Sequence, residues 1–207
     1  GRFCVSAKDL STALAELTDE KVTIIATLES DNRFTLQHNS GETYFPIDNA
    51  DEYPLPMQEQ VSEPVTLPGL QVRDALKRSL WATGSDDLRS IMCGVCFALK
   101  DGWLDIVTSD GHVLVKSRIN AIEGAKITDE FRMTIPKKAA TLLGGVLSGD
   151  PVKVSWNEHS CRMEFWPYTL NMRLVEGKYP NYNSIIPENQ PLEAIVPRAF
   201  ALCSLKK

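Results

Sequence analysis

Apolar residues along the chain form helical stripes followed by strand-like alternation. Residues 10–17 carry apolar side chains at intervals of three and four, which places them on one face of a helix. Residues 21–29 then alternate between apolar and polar, and two shorter strand patterns follow at 33–37 and 42–47, separated by the turn residues 39–41. The first part of the chain therefore predicts a helix followed by three strands.

This order returns twice more. Each helix follows a short strand that runs into Ala7, Pro68, Pro136 or Pro197, and these junctions are 61, 68 and 61 residues apart. The second repeat predicts strands at 90–99, 103–109 and 112–119, and the third predicts a helix over 136–147 and strands at 152–156, 162–166 and 169–175. The repeating unit is strand, helix, strand, strand, strand, which predicts an α+β fold with helices on one face of antiparallel sheets.

The sequence also shows a longer repeat, which contains two of the shorter units. Tyr53-Pro54 and Tyr179-Pro180 follow equivalent strands 126 residues apart, so two units make one domain. On this count residues 1–60 are the second half of a first domain, 61–190 are a complete second domain, and 191–207 begin a third. We expect the chain to be a fragment of a longer protein.

Composition narrows the class of protein. The 207 residues are 43% hydrophobic and 24% charged without an apolar run near eighteen residues, which predicts a soluble globular protein. The five cysteines are odd in number and do not form a set of disulfide pairs, which favours a reducing cytoplasm as the location. A net charge of −5 argues against a uniformly basic nucleic-acid binder but allows a local basic surface.

The predicted helix over 136–147 has two distinct faces. One face collects the apolar side chains Ala139, Leu142, Leu143 and Val146, and the other collects Lys137, Lys138, Thr141, Gly144 and Gly145. Adjacent glycines in a helix cost about 1 kcal/mol each relative to alanine. We therefore expect a partner to approach the backbone of this outer face closely.

The helix after Pro68 shows a similar division. Its stripe of Val72, Ala75, Leu76, Ser79 and Leu80 leaves cations on the other side. Candidate contacts to nucleic-acid phosphates are Arg73, Lys77, Arg78, Arg89, Lys137 and Lys138. The alternative is that these cations are simply solvated on an exposed helix face.

Three segments carry a resemblance to a known family. Residues 108–114 read Thr-Ser-Asp-Gly-His-Val-Leu, residues 175–182 read Val-Glu-Gly-Lys-Tyr-Pro-Asn-Tyr, and residues 185–189 read Ile-Ile-Pro-Glu-Asn. In order and spacing the chain resembles the bacterial DNA polymerase III beta subunit, the sliding-clamp family, from Arg2 to Lys207.

The resemblance implies a DNA clamp fold and a processivity function. Family members are rings of two subunits with three similar domains each, which encircle duplex DNA without sequence preference and tether the polymerase. Helices line the hole and strands form the outer sheets. The implied partners are DNA, the DNA polymerase III alpha subunit, the clamp loader and other proteins that carry a clamp-binding motif. The implied protein is a non-catalytic, cofactor-free homodimer in the bacterial cytoplasm at the nucleoid, whereas this fragment should be a monomer.

The resemblance also implies a pocket for a short, apolar-ended peptide motif. Its matching positions are Met92, Ser109, Gly111, His112, Val113, Leu114, Pro180, Ser184 and Ile185. Val113 and Ser184 stand where families often carry basic residues, so partner preference can differ. Alternatively, His112 packs locally in a turn, and Pro180 fixes the chain direction between domains.

Two other classes of function remain open from the residues alone. Cys93 and Cys96 look like half a zinc site, but no second pair follows at zinc spacing, so no metal site is predicted. His159 and Cys161 fit a hairpin edge. A thiol-dependent enzyme that uses Cys93 or Cys96 is one alternative, and an interaction module without DNA is another.

Overall fold

The computed structural model describes residues 2–18, 21–27, 32–53, 62–100, 102–120, 123–124, 131–187 and 191–205. The chain divides into two compact units, Gly1–Gln58 and Glu59–Lys207. Over the described ranges, no helix combines the length and the apolar character needed to cross a bilayer.

The first unit is a small sheet with one helix. Its elements are β1 (Phe3–Cys4), α1 (Ala7–Glu16), β2 (Thr23–Thr27), β3 (Arg33–His38), β4 (Gly41–Pro46), β5 (Asp48–Asn49) and a 3-10 helix, Ala50–Glu52. Strands β2, β3 and β4 form an antiparallel sheet, and β1 pairs with β5. The Ser6 side chain caps α1 by accepting a hydrogen bond from the Asp9 amide. The predicted strand over 21–29 is described only as far as Thr27.

The second unit contains two consecutive repeats. The first comprises β6 (Val65–Pro68), α2 (Gly69–Ser79), 3-10 helices Leu80–Ala82 and Asp87–Cys93, β7 (Val95–Lys100), β8 (Trp103–Ser109), β9 (Leu114–Ile119) and β10 (Glu123–Gly124). The second comprises β11 (Phe131–Ile135), α3 (Lys137–Val146), β12 (Pro151–Trp156), β13 (Ser160–Phe165) and β14 (Tyr168–Arg173). A 3-10 helix, Tyr182–Ile185, and α4 (Arg198–Leu205) follow. The predicted α+β class and repeating order are confirmed.

The predicted strand over 90–99 is wrong in its first part. Residues up to Cys93 belong to a 3-10 helix, and β7 begins only at Val95. The Asp86 side chain caps the helix by accepting from the Leu88 amide at 3.0 Å. Gly94 packs so closely on β11 that a Cβ there would clash with Thr134 and Ile135. A local cap and a required glycine thus override the strand pattern.

The two repeats exchange their first strands. The five-stranded sheet has the order β10-β6-β12-β13-β14, and the four-stranded sheet has the order β11-β7-β8-β9. Strand β6 of the first repeat pairs with β12 of the second, while β11 of the second pairs with β7 of the first. Neither sheet is complete without a strand from the other repeat.

The four-stranded sheet has two buried faces. On β7, Val95, Phe97 and Leu99 point into the main core, where they join residues of α2, α3 and the five-stranded sheet. Cys96 and Ala98 alternate to the opposite side and pack with Tyr179 and Tyr182. We call these the helix face and the outer face of the sheet.

The predicted apolar face of α3 is wrong by one residue. The buried positions are Ala140, Leu143 and Gly144, whereas Leu142 and Val146 are 46% and 41% exposed. A Cβ on Gly144 would lie 3.8 Å from Leu80 and Lys77, so the element that approaches this glycine is α2. Gly145 is exposed and faces open space.

Candidate functional site

Two neighbouring helices, α2 and α3, carry most of the predicted phosphate-binding cations. Lys77 and Arg78 lie in the last turn of α2, and Lys137 and Lys138 lie in the first turn of α3; all four are exposed. Arg73 differs, because its guanidinium pairs with Asp74 at 3.1 Å. The structure therefore leaves four of the predicted cations in exposed positions on adjacent helices.

The lysines of α3 are placed against the helix dipole. The N-terminus of a helix carries partial positive charge, so cations in the first turn reduce helix stability by some tenths of a kcal/mol. Lys137 and Lys138 occupy that turn, which has no acidic residue. Helix stability therefore does not explain the presence of these two lysines. Lys77 and Arg78, in contrast, lie in the last turn of α2, where positive charge stabilises the helix.

Arg89 lies in a different environment. It belongs to the 3-10 helix Asp87–Cys93, and its Nε is 4.0 Å from the Asp86 carboxylate. Its Nη1 lies 3.5 Å from where a Cβ on Gly111 would be, and the Met92 methyl lies 3.9 Å from the same point. The structure thus groups Arg89 with two residues of the predicted peptide pocket.

A tight turn holds the central residues of that pocket. The Asp110 carboxylate accepts hydrogen bonds from the amides of His112 and Val113, both at 2.8 Å, and Ser109 Oγ accepts from the Gly111 amide at 3.1 Å. Gly111 has a φ of 96°, a conformation that favours glycine. The amides of Val113 and His112 lower the pKa of Asp110. His112 and Val113 are exposed beyond the turn.

Residues 174–187, which we call the linking segment, cover the outer face of the sheet. At its start, the Leu174 amide donates to the His159 carbonyl and the Val175 amide to the Thr134 carbonyl, both at 2.8 Å. Tyr179 and Tyr182 are buried, in a cluster that also includes Leu114 and Ile91. Burying aromatic side chains of this size anchors the segment by several kcal/mol.

The predicted pocket residues of the linking segment point away from that cluster. Pro180, Ser184 and Ile185 are exposed, Ile185 by 64%. The Ser184 hydroxyl donates to the Asn181 carbonyl at 2.7 Å, which fixes the short 3-10 turn. The structure thus offers three surface positions on a backbone whose tyrosines are held in the core.

A charged network lies beneath the linking segment. Asp105, with a side chain 1% exposed, binds Arg118 through two hydrogen bonds of 2.7 and 2.8 Å and Lys116 at 3.1 Å. The Lys116 ammonium lies 5.3 Å from the centre of the Tyr182 ring, and the Arg132 guanidinium lies 5.0 Å from it. Two cations thus flank the tyrosine that anchors the segment.

The hydroxyl of Tyr179 is buried in apolar surroundings. It makes no hydrogen bond of ordinary geometry within the described residues, although the nearby Ser109 amide opposes the effect of burial on its titration. Burial is the larger influence and raises the pKa of Tyr179 well above its usual value. The hydroxyl therefore stays protonated at neutral pH.

The sequence did not single out the residues that hold the site together. Ile91, Asp105, Lys116, Arg118 and Arg132 were all missed. Asp105 and Arg118 are direct cross-strand partners, so the register of β8 and β9 brings them together. The signal in the sequence that could have found the network was Asp105, an isolated aspartate between the apolar residues Leu104 and Ile106 of β8.

The cysteines differ in exposure: Cys96 and Cys161 are buried, Cys4 and Cys93 are partly buried, and Cys203 is exposed. Cys96 is fully buried, and the half-buried Cys93 thiol donates to the Asp86 carbonyl at 3.3 Å. Burial raises the pKa of Cys161 to about 12, so it is a thiol rather than a thiolate. Across the described ranges, no three His, Cys, Asp or Glu side chains are grouped to hold a metal ion.

Known proteins match this chain over most of its length. A family model described as DNA polymerase III beta subunit, central domain, matches residues 66–181. The beta sliding clamp of Synechococcus elongatus is 26% identical over 212 residues, covering 100% of this chain and 56% of that protein. The clamp of Synechocystis is 27% identical over 225 residues, covering 100% and 57%. The chain thus spans about half the length of the curated relatives it matches.

Solved structures share the fold. The DNA polymerase III beta subunit of Pseudomonas aeruginosa aligns with a TM-score of 0.83 at 21% identity, covering 91% of this chain and 52% of that one. The Helicobacter pylori beta clamp bound to a DNA ligase peptide aligns with a TM-score of 0.82 at 17% identity, covering 91% and 52%. The predicted clamp fold is confirmed, and with a family model matched over more than half of its residues, this chain belongs to the DNA polymerase III beta subunit family.

Proposed function

We propose that this chain is part of a sliding clamp that holds duplex DNA without reading its sequence and tethers replication proteins through a peptide pocket. The observation that carries the proposal is the exposed cations of α2 and α3, which lie on two adjacent helices beneath the helix face of the sheet. Phosphate contacts of this kind position a duplex without carrying sequence information.

The DNA contact is proposed to use Lys77, Arg78, Lys137 and Lys138. Arg73 contributes less, because Asp74 already neutralises it. Arg89 lies beside Gly111 of the proposed peptide pocket. It would therefore contact only DNA that passes the side of the domain on which that pocket lies. A few phosphate contacts give weak, salt-dependent binding, which suits a protein that must slide.

Salt dependence tests this contact directly. Fluorescence anisotropy would follow binding of a labelled duplex to the chain across a salt series. Each phosphate contact contributes about −0.9 to the slope of log K against log salt, so Lys137→Glu with Lys138→Glu should make the slope shallower by about 2. Lys153→Glu, an exposed lysine on β12, is the matched control and should change the slope little. Equal slopes for the two variants would contradict the DNA role.

The peptide pocket is proposed to comprise the residues that the resemblance implied. Three observations support it. The Met92 methyl lies close to Gly111, and the Gly111 amide donates a hydrogen bond to Ser109 Oγ. The linking segment is anchored by its buried tyrosines. The Helicobacter pylori clamp, which shares the fold, is bound to a DNA ligase peptide. By analogy, an apolar-ended peptide would lie against Leu114 and the exposed Pro180 and Ile185, next to the turn that carries His112 and Val113.

A peptide-binding assay tests the pocket. A fluorescent peptide with a clamp-binding motif should bind the chain, and Ile185→Ser should weaken binding by about tenfold through lost apolar contact. His112→Ala and Pro180→Ala should also weaken it. Ile195→Ser removes a more exposed isoleucine outside the pocket, 91% against 64% for Ile185, and serves as the control. If the peptide does not bind even at high protein concentration, the pocket proposal fails.

The remaining parts of the proposal concern a longer protein containing this chain. It would be a ring-shaped homodimer of three-domain subunits in the bacterial cytoplasm at the nucleoid, with the DNA polymerase III alpha subunit and the clamp loader as partners. The chain by itself would be a non-catalytic monomer, which light scattering would test. If DNA binding is absent and peptide binding is present, the alternative of an interaction module without DNA is favoured.

A further inference from the structure

The last turn of α2 leads directly into an exposed tryptophan. Trp81 is the middle residue of the 3-10 helix Leu80–Ala82, and its side chain is largely in solvent, with 67% of the residue exposed. Its two neighbours are directed inward, since Ala82 is buried and Leu80 packs against the main core. Burial of an indole stabilises a fold, so the stability of this domain does not explain why Trp81 faces outward.

The backbone on either side of Trp81 is held by hydrogen bonds from buried threonines. The Ser79 carbonyl accepts from Thr108 Oγ1 of β8 at 2.8 Å. On the other side, Thr83 Oγ1 donates to the Leu80 carbonyl at 2.9 Å. Trp81 therefore projects from a fixed backbone, and a ring that is presented in this way loses little conformational entropy when it binds a ligand.

The packing of α2 on α3 directs this tryptophan toward the start of α3. Gly69, the first residue of α2, lies too close to the Ser148 carbonyl to allow a Cβ, and Ser148 follows the end of α3. Further along α2, the side chain of Leu80 lies 3.8 Å from where a Cβ on Gly144 would be. The two helices therefore run in opposite directions, so the end of α2, with Trp81, is directed toward the two lysines that begin α3.

The helix pair is cationic although the whole chain is acidic. Every residue of α2 and α3 is described, and together they carry one acid, Asp74, and five cations: Arg73, Lys77, Arg78, Lys137 and Lys138. Five positive charges and one negative charge give a net charge of +4, whereas the 207 residues together carry −5. Asp74 is engaged by its neighbour Arg73 at 3.1 Å. The charge around Trp81 therefore favours an anionic ligand.

A flat aromatic ring among cations matches the chemistry of single-stranded DNA. Ammonium and guanidinium groups pair with phosphates, and every unpaired base has a face on which an indole can stack. In an intact duplex, neighbouring base pairs cover those faces. Phosphate contacts alone would therefore use the cations and leave Trp81 without a role, whereas an unpaired strand would use both.

We propose that Trp81 stacks on an unpaired base of DNA while Lys77, Arg78, Lys137 and Lys138 hold the neighbouring phosphates. The role of these cations rests on the proposed function, whereas the stacking of Trp81 does not require a duplex. DNA in which a duplex passes into a single strand gains the stacking contact in addition to the phosphate contacts. The chain therefore binds such DNA more tightly than a blunt duplex, and without preference for sequence, because every base can stack.

Three labelled DNAs test the proposal by fluorescence anisotropy: a single strand of thymidines, a blunt duplex, and the same duplex with a thymidine tail. Trp81→Ala should weaken binding of the single strand about tenfold and remove the preference for the tailed duplex, with little change for the blunt duplex. Trp81→Phe should keep most of the affinity, because a phenyl ring still stacks. Trp166→Ala is the matched control, since Trp166 is 85% exposed in the turn between β13 and β14.

The outcomes separate this proposal from the duplex contact. No binding of the single strand, or equal binding by wild type and Trp81→Ala, would overturn the proposal even if the blunt duplex binds. Equal weakening for all three DNAs would also overturn it, because Trp81 would then support the surface without contacting unpaired bases. Binding of the single strand that depends on Trp81, without binding of the blunt duplex, would support stacking and contradict the proposed duplex contact.

Quenching of tryptophan fluorescence distinguishes direct contact from a structural role. Stacking on a base quenches indole emission, so the single strand of thymidines should quench part of the emission of wild type and of Trp166→Ala, but none of that of Trp81→Ala. The two variants should unfold at the same urea concentration as wild type, because both side chains are exposed. Absence of quenching, together with a dimer in light scattering that Trp81→Ala dissociates, would make a second copy of the chain the occupant and overturn the proposal.

Discussion

The two faces of the four-stranded sheet are built from the same strands but held by different forces. On the helix face, Phe97, Leu104 and Ile106 are fully buried among aliphatic side chains. On the outer face, small residues such as Ala98 lie beside Asp105 and its cations, under two tyrosines. The helix face depends on apolar area, and the outer face depends on charge and aromatic contacts.

This difference separates stability from recognition. Apolar burial is strong and non-directional, so the helix face can hold the fold without fixing any one side chain on the surface. The network of Asp105, Lys116 and Tyr182 is directional, and it fixes the linking segment that presents Pro180 and Ile185. The outer face can therefore tune a binding surface while the helix face maintains the domain.

The largest expected effect is on the helix face. Phe97→Ala should lower the free energy of unfolding by about 3–5 kcal/mol, because it leaves a cavity in a close-packed core. Cys96→Ala, one residue along on the outer face, should cost only about 1 kcal/mol. Urea unfolding followed by tryptophan fluorescence suits this test, since all four tryptophans lie in the second unit. Equal losses would mean that the two faces do not differ.

On the outer face, Asp105→Asn should lower the free energy of unfolding by about 2–3 kcal/mol. Removing one partner of a buried ion pair costs about 3–5 kcal/mol, but Arg118 and Lys116 are partly exposed and can regain water. Glu158→Gln, at an exposed turn, should change stability by less than about 0.5 kcal/mol. A loss for Asp105→Asn no larger than that of this control would remove the role assigned to the network.

The layer beneath the helix face has room for additional methyl groups. Gly144→Ala and Gly145→Ala should each raise the free energy of unfolding by about 0.5–1 kcal/mol. A Cβ at Gly144 meets no atom closer than 3.8 Å, and one at Gly145 meets nothing within 4 Å. The same urea assay measures both. Destabilisation by Gly144→Ala would show that α2 and α3 pack more tightly than these distances indicate.

The smallest expected effect is a pH response at the turn that carries His112. The amides of Val113 and His112 lower the folded-state pKa of Asp110, so the stabilisation is present above the unfolded value and is lost as pH falls through the folded one. NMR shifts of the two amides should titrate with a midpoint below the ordinary aspartate pKa of about 3.9.

Asp110→Asn is the matched control for that titration. Its side-chain oxygen can still accept from both amides, so the turn should persist while the acid transition disappears. A midpoint at or above the ordinary aspartate value in the parent chain would contradict the hydrogen bonds described for the turn.

Periodicity identified the helices and most of the strands, because three-and-four spacing and alternation reflect which side a residue buries. It failed where two alternative apolar stripes fit the same sequence equally well, and where a cap or a glycine determined the structure. The stripes through Ala139 and through Ala140 share Leu143 and are both apolar, and only packing against α2 selects the second. The 3-10 helix before β7 depends on the cap by Asp86 and on Gly94, which alternation does not register.

The candidate site was predictable in its sequence motifs but not in its support. The turn at Asp110 and the linking segment were recognisable from local sequence. The pairing of Asp105 with Arg118 depends on strand register, and the position of Arg132 over Tyr182 joins residues 50 apart in the chain. Contacts of this kind follow from the tertiary fold, which no local pattern specifies.

The strand exchange between the repeats has a consequence for how the second unit is put together. Because β6 completes the sheet of the second repeat and β11 completes that of the first, the two halves are related like subunits of a strand-swapped dimer joined end to end. The first repeat made alone would leave the edge of β6 that faces β12 unpaired and the sheet of β7, β8 and β9 without β11. Association with a second copy of itself would supply both missing pairings.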